Sequence, residues 1–123
     1  MIPFKNRFHG HKSLGYVYKN GQAIRSRLVT IKSAPNPHRK EPRFAIVVSK
    51  KVLKSAVRRN RIRRRLYEYI RPKLTDLNGV YDIALIVTSA EMYGMSHVDL
   101  SEQFDQLFDQ AAVLKNGNGK QKD

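Results

Sequence analysis

The sequence predicts a single small α+β domain, and three observations carry that expectation. Arg43 to Ser49 (RFAIVVS) and Val80 to Ser89 (VYDIALIVTS) read as strands, and a helix-compatible stretch lies between them. Strand, helix, strand at this spacing is a βαβ unit with parallel strands. Downstream, Leu100, Phe104, Leu107, Phe108, Ala111 and Leu114 recur at helical spacing, with Glu102, Asp105 and Asp109 outside, which predicts a structural C-terminal helix. At 123 residues and 41% hydrophobic, the chain is long enough to bury one core. It is too short for a catalytic domain beside a binding domain.

Residues 1–11 contain Pro3 and Gly10 and are expected to be a flexible N-terminus, although Phe4 and Phe8 are able to dock on a core. Ser13 looks like a helix cap, and Leu14, Val17 and Tyr18 follow at i, i+3 and i+4 before Asn20-Gly21 stops the turn. From Gln22 to Ser33 the pattern is strand-like, with a kink near Arg25 to Arg27 that splits it into two short strands. Ala34 to Pro42 holds three prolines and is expected to be a long hairpin end. In the next strand Phe44, Ile46 and Val48 point one way and Ala45, Val47 and Ser49 the other, so a bulky face wants a helix and a shallow one leaves a groove. Pro72 and Asn78-Gly79 separate the following helix from the Val80 strand, and Ser96 with Asp99 resembles a capping box. The domain thus spans residues 12–115, and 116–123 (NGNGKQKD) read as a disordered tail.

Function is written in the charge. Residues 1–49 carry +9, residues 50–73 carry +10 and residues 74–123 carry −5, which returns the formal +14. The centre of the basic run is Arg59-Asn60-Arg61-Ile62-Arg63-Arg64-Arg65-Leu66, on a helix expected from about Ser55 to Arg71. On a wheel of ~100° per residue Ile62, Leu66, Tyr69 and Ile70 share one sector, while Asn60, Arg61, Arg64 and Arg71 face away. Like charges at Arg58/Arg61, Arg61/Arg64 and Arg61/Arg65 repel by about a few tenths of a kcal/mol each. A face that repels itself when free and is neutralised when bound suits a polyanion, and guanidinium forks match phosphate oxygens two at a time. The plain alternative is a solvated helix surface.

Other classes find little support. The chain has no cysteine, so it offers no disulfide or thiolate metal site, and a reducing cytoplasm is the simplest home. His9, His11, His38 and His97 show no metal-ligand spacing beyond the His9-x-His11 pair, and no paired carboxylates or nucleophile–base arrangement falls on the basic side. The longest apolar runs are far below the ~20 residues of a spanning helix, so no membrane role is expected. The N-terminus lacks the apolar centre of a secretion signal.

Taken together, Ser49-Lys50-Lys51-Val52 and Ala56-x-x-Arg59-Asn60-Arg61-Ile62-Arg63-Arg64-x-Leu66, with Glu68 following, resemble the protein subunit of bacterial ribonuclease P. Arg7-Phe8, Leu14-x-x-x-Tyr18-x-x-Gly21 and Val80-Tyr81-Asp82 extend the resemblance over about residues 5 to 114. Leu14 stands where an aromatic is usual in the family, which leaves Tyr18 as the stacking candidate. The resemblance implies an αβββαβα order, a four-stranded mixed sheet and a left-handed crossover through the basic helix, against the general right-handed preference. It implies a ribonucleoprotein endoribonuclease that removes the 5′ leader of precursor tRNA, with catalysis by the RNA subunit using Mg²⁺ and no obligate protein partner.

On this basis Arg59, Asn60, Arg61, Arg63, Arg64 and Arg65 are expected to meet the catalytic RNA. Leu14, Tyr18, Lys32, Phe44, Ser49, Lys50 and Lys51 are expected to flank a groove for the precursor-tRNA leader. No catalytic or metal-binding residue is expected on the protein. Composition alone equally fits a ribosomal or general RNA-binding protein that serves no enzyme.

Overall fold

The computed structural model describes residues 3–8, 11–37 and 39–111. Ser55 ends the extended chain and starts the central helix: its Oγ accepts the Arg58 amide at 3.2 Å, and the amide of Arg59 closes on its carbonyl. That helix, α2 (Ala56–Ile70), runs on through good helix formers and gives way at Pro72 to a 3-10 turn. It is preceded by α1 (His11–Asn20), β1 (Gln22–Arg25), β2 (Val29–Pro35) and β3 (Arg43–Val48), and followed by β4 (Tyr81–Val87) and α3 (His97–Ala111). The α+β order expected from the resemblance is the one observed.

The four strands are ordered β1-β2-β4-β3, with β3 and β4 parallel and the other neighbours antiparallel. β4 is therefore an inner strand largely covered on both faces, which is why its sequence is a continuous apolar run rather than an alternation. The kink at Arg25 to Arg27 proves to be a hairpin turn, in which Ser26 Oγ accepts the amides of Leu28 and Val29. The Ala34 to Pro42 connection corrects its expectation: β2 and β3 do not pair, because β4 lies between them, so it links strands across the sheet rather than closing a hairpin.

Directly paired residues share a face of a sheet, so the register sorts the side chains. Gln22, Ser33, Ile83 and Phe44 form one row, Ile24, Ile31, Leu85 and Ile46 the next, and Val29, Val87 and Val48 a third. The apolar members of these rows join Ile62, Leu66, Tyr69 and Ile70 of α2 and Leu100, Phe104, Leu107 and Phe108 of α3 in the main core. Tyr69 bridges the two helices, with its ring 5.4 Å from Phe104 and 5.8 Å from Phe108, and its hydroxyl donates to Asp105 at 2.5 Å. Burial first, then the Asp105 bond, pushes the Tyr69 phenol well above its ordinary pKa.

The opposite face carries small residues. Ala34, Ala45 and Ala84 let Val17 of α1 and Phe8 seat closely on the sheet. Gly21 follows α1 at a close approach: a Cβ there would lie 2.5 Å from the Val17 carbonyl oxygen and 3.0 Å from that of Ser33.

The first residues differ from the expected flexible arm. Phe4–Asn6 form a 3-10 turn, Arg7 bridges Phe44 in parallel, the Phe8 amide donates to the Phe44 carbonyl at 3.1 Å, and Phe8 is buried. The aromatic ring of Phe8 supplies the reason, since it completes the second core and the backbone beside it covers the β3 edge. α1 begins at His11, so Ser13 lies inside its first turn rather than at the position before it. At the other end the expected cap is present, with the Asp99 amide donating to Ser96 Oγ at 3.1 Å. Leu114, His9 and the expected tail at 116–123 lie outside the described residues.

Candidate nucleic-acid interface

Packing of Ile62, Leu66 and Ile70 fixes which way α2 turns, and the wheel reading holds: Asn60, Arg61 and Arg64 are exposed, while Arg59, Arg63 and Arg65 are half-buried. Tyr67, which the wheel did not place in the core, is buried as well. Burial raises its phenol pKa even though Arg7 and Arg63 pull the other way.

The six residues expected to meet RNA divide by what their heads already touch. Arg65 reaches into the 3-10 turn Ala90–Gly94 and the residue after it, donating to the carbonyls of Met92 (3.2 Å), Tyr93 (3.2 Å) and Met95 (2.5 Å). Those bonds make it a brace between α2 and the chain ahead of α3. Arg59 donates to the carbonyls of Leu53 (3.0 Å) and Lys54 (2.8 Å) and so fastens the loop that enters α2. Arg63 donates to Asn60 Oδ1 at 2.8 Å. Arg61, Arg64, Arg65 and Glu68 line one shallow recess. The ion pairs Lys5–Glu41, Arg27–Glu91, Arg43–Asp82 and Lys73–Asp105 involve no residue of α2.

Tyr93 is the residue of this surface that sequence reasoning missed. Its ring centroid lies 5.3 Å from the Arg58 guanidinium carbon and 5.8 Å from that of Arg61, and its hydroxyl accepts from Arg61 at 3.4 Å. The Arg61 hydrogen bond, with the positive charge of Arg61 and Arg58, holds the phenol below its ordinary pKa against a smaller effect of burial. No periodicity marked Tyr93, because it belongs to an irregular segment that only tertiary packing brings to α2.

The second expected site falls on the α1 side of the sheet. The row Arg25, Thr30, Ile86 and Val47 crosses all four strands there, and Ile86 and Val47 are only half-buried although Ile86 sits on an inner strand. Tyr18 is exposed, and Lys32 of the adjacent row donates to its carbonyl at 3.2 Å with the ammonium 5.3 Å from its ring centroid. Burial of part of the ring raises the Tyr18 phenol pKa. Leu14 is half-buried against the Phe8 cluster. Ser49 and Lys50 follow Val48 directly, both exposed like Lys51, and Ser49 turns the chain by accepting the amides of Val52 and Leu53. The structure thus brings Tyr18 and Lys32 together beside a partly open floor, with Ser49, Lys50 and Lys51 at the C-terminal end of β3. Phe44 does not join them. It is 0% exposed and on the opposite face, because its place in the register turns its side chain under α2.

Acid groups are poorly placed for chemistry. Asp82 is buried and accepts from Arg43 twice (2.9 and 2.8 Å) and from Asn36 (2.8 Å), so it is a structural anchor at the far end of the sheet. The Arg43 guanidinium also lies 5.0 Å from the Phe8 ring centroid. Among the described residues no three or more His, Asp or Glu side chains converge as metal ligands. No helix among them is long and apolar enough to cross a membrane.

Comparison with known proteins agrees with this geometry. A family model described as Ribonuclease P matches residues 2–112. The ribonuclease P protein component of Prochlorococcus marinus (strain AS9601) is 32% identical over 93% of this chain and 98% of its own. That of Pseudanabaena sp. (strain PCC 6903) is 31% identical over 96% of this chain and 100% of its own. In fold, the chain is similar to the RNase P protein of Staphylococcus aureus, with a TM-score of 0.80 at 23% identity over 89% of this chain and 97% of that one. It is also similar to the RNase P protein of Thermotoga maritima, with a TM-score of 0.70 at 22% identity over 82% of this chain and 94% of that one.

Proposed function

This chain belongs to the ribonuclease P protein family, the protein component of a ribonucleoprotein endoribonuclease, and from that premise we propose how its two surfaces divide the work. The outer face of α2 docks the RNA subunit, and the partly open strip beside α1 holds the 5′ leader of precursor tRNA. Asn60, Arg61 and Arg64 meet RNA phosphates directly, with Arg63 beside them through Asn60, while Arg59 and Arg65 keep α2 seated. The observation that carries this reading is the outward exposure of Asn60, Arg61 and Arg64 on a helix whose other side is locked into the core.

On the second surface Tyr18 offers a ring for a base, and Lys32, Ser49, Lys50 and Lys51 offer donors for the backbone, with Leu14 as an apolar flank. Stacking and phosphate contacts carry little sequence information, so leader binding is broad in sequence and strongly dependent on salt. The reaction's Mg²⁺ is assigned to the RNA subunit, since the donor set described on this protein does not fit a metal. The protein's own part is to hold the leader and to reduce phosphate repulsion where the two RNAs meet, in the cytoplasm where precursor tRNA is processed.

The test is reconstitution with a bacterial ribonuclease P RNA. Wild-type protein restores leader removal at low Mg²⁺, and affinity for the RNA falls linearly on a log–log plot against salt. Replacing Arg61 and Arg64 by Ala lowers that slope by about 1.4 to 1.8, as expected for two lost phosphate contacts. An unchanged slope and unchanged assembly at physiological salt would remove α2 from the interface.

A further inference from the structure

We infer that Tyr93 is a positioning residue for RNA docking: its ring holds Arg58 and Arg61 as a preformed pair on the outer face of α2. The inference rests on the assignment of that face to the RNA subunit and adds a residue from outside the basic helix. Arg58 and Arg61 stand three apart on a helix, where two guanidinium groups repel each other and disperse in solvent. Tyr93 counters this by presenting one electron-rich ring to both, at 5.3 and 5.8 Å, and by accepting a hydrogen bond from Arg61.

The ring is itself held in place from several directions. Met92 beside it is buried in the main core, and Ser89 Oγ caps the Ala90–Gly94 turn by accepting the Glu91 amide at 3.2 Å. Arg65 grips the carbonyls of Met92, Tyr93 and Met95, and Glu91 pairs with Arg27 of the β1–β2 turn. A side chain on so anchored a segment fixes its partners before RNA arrives, which reduces the ordering that binding must otherwise impose. The geometry also gives Arg65 a purpose, since the same guanidinium that is withdrawn from RNA secures the backbone of the residue that organises its neighbours.

Filter binding of full-length variants to a bacterial ribonuclease P RNA across a salt series tests this, with ¹⁵N NMR of the arginine side chains in the free protein. Tyr93→Ala weakens affinity about tenfold at every salt concentration while leaving the salt slope unchanged, because the phosphates contacted are the same and only their partners are less ordered. Tyr93→Phe, which keeps the ring, recovers affinity to within about threefold, and the distinct side-chain signals of Arg58 and Arg61 collapse toward free arginine in Tyr93→Ala alone. If Tyr93→Ala does not fold, as judged by circular dichroism, Tyr93→Leu keeps the apolar packing and takes its place. Wild-type binding by the Ala or Leu variant, with Arg61→Ala/Arg64→Ala weakened, overturns the role of Tyr93 and leaves the docking face intact. Equal losses in the Ala and Phe variants also overturn it, since the ring is then not the agent. Wild-type binding by every variant, the arginine pair included, sinks the docking face itself.

Discussion

Phe44 lies on the α2 face of the sheet, opposite the partly open strip beside α1, and replacing it with Ala tests that placement. Its side chain is 0% exposed, among Ile62, Leu66 and Ile83 of the main core. Truncating a buried Phe removes transfer free energy and leaves a cavity, together worth about 3–5 kcal/mol. For 123 residues the unfolding entropy at the midpoint is about 0.26 kcal/mol/K, so the melting temperature should fall by about 12 to 19 °C. A domain of this length has about 6–18 kcal/mol of stability, so Phe44→Ala still folds at 25 °C and its binding is measurable. Thermal melts followed by circular dichroism give the first number, and titration of labelled single-stranded leader into the holoenzyme gives the second. Leader affinity of the folded variant should stay within about threefold of wild type, whereas a stacking contact is worth about 1–3 kcal/mol. A melting temperature within about 3 °C of wild type together with a leader affinity down more than about tenfold would put Phe44 in the groove and refute the assignment.

Other perturbations read other parts of the structure. Asp82→Ala strands the Arg43 guanidinium, whose side chain is 12% exposed, and should destabilise by about 3–5 kcal/mol in a urea melt; the double replacement Arg43→Met/Asp82→Leu should recover most of that. Gly21→Ala pushes a Cβ against two carbonyl oxygens and should cost about 1–3 kcal/mol, with weaker leader binding as α1 shifts, checked by the same melt and titration. The Tyr69 phenol, raised in the fold, keeps its proton when the unfolded chain loses it near pH 10. Stability from Tyr69 is thus complete below that pH and lost above it, and Tyr69→Phe should flatten the alkaline limb of a stability–pH curve measured against wild type.

The α2 helix with its start near Ser55, the cap at Ser96 and the apolar stripe of α3 were legible because each is a local pattern: one starting residue and a repeat near 3.6. The strand pair β3 and β4 was legible for the same reason, and the parallel pairing followed from the helix between them. Sequence order hid what only the third dimension decides. Nothing local places β4 between β2 and β3, and so the proline-rich link looked like a hairpin. Arg65 resembles Arg61 in every local respect, yet one is held by three backbone carbonyls while the other keeps an exposed head against the Tyr93 ring, a division set by how the Ala90–Gly94 segment passes α2. Phe44 was read as a groove residue against its own alternation, which had put it beside Ile46 and Val48 on the helix-covered face. The half-open row Arg25, Thr30, Ile86 and Val47 went unnoticed because its members come from four separate strands.

The place of β4 has a consequence for the order in which the protein can become itself. Emerging from the ribosome, the first eighty residues comprise α1 with a small hairpin and, apart from them, a strand with its cationic helix, and the inner strand that joins the two parts is still missing. The arrival of Tyr81 to Val87 joins them along both flanks at once, so closure is late and depends on partners far apart in the chain, the arrangement that slows folding most. A product truncated before Tyr81 would thus carry the charge for gripping nucleic acid without the sheet that gives its basic helix a rigid seat.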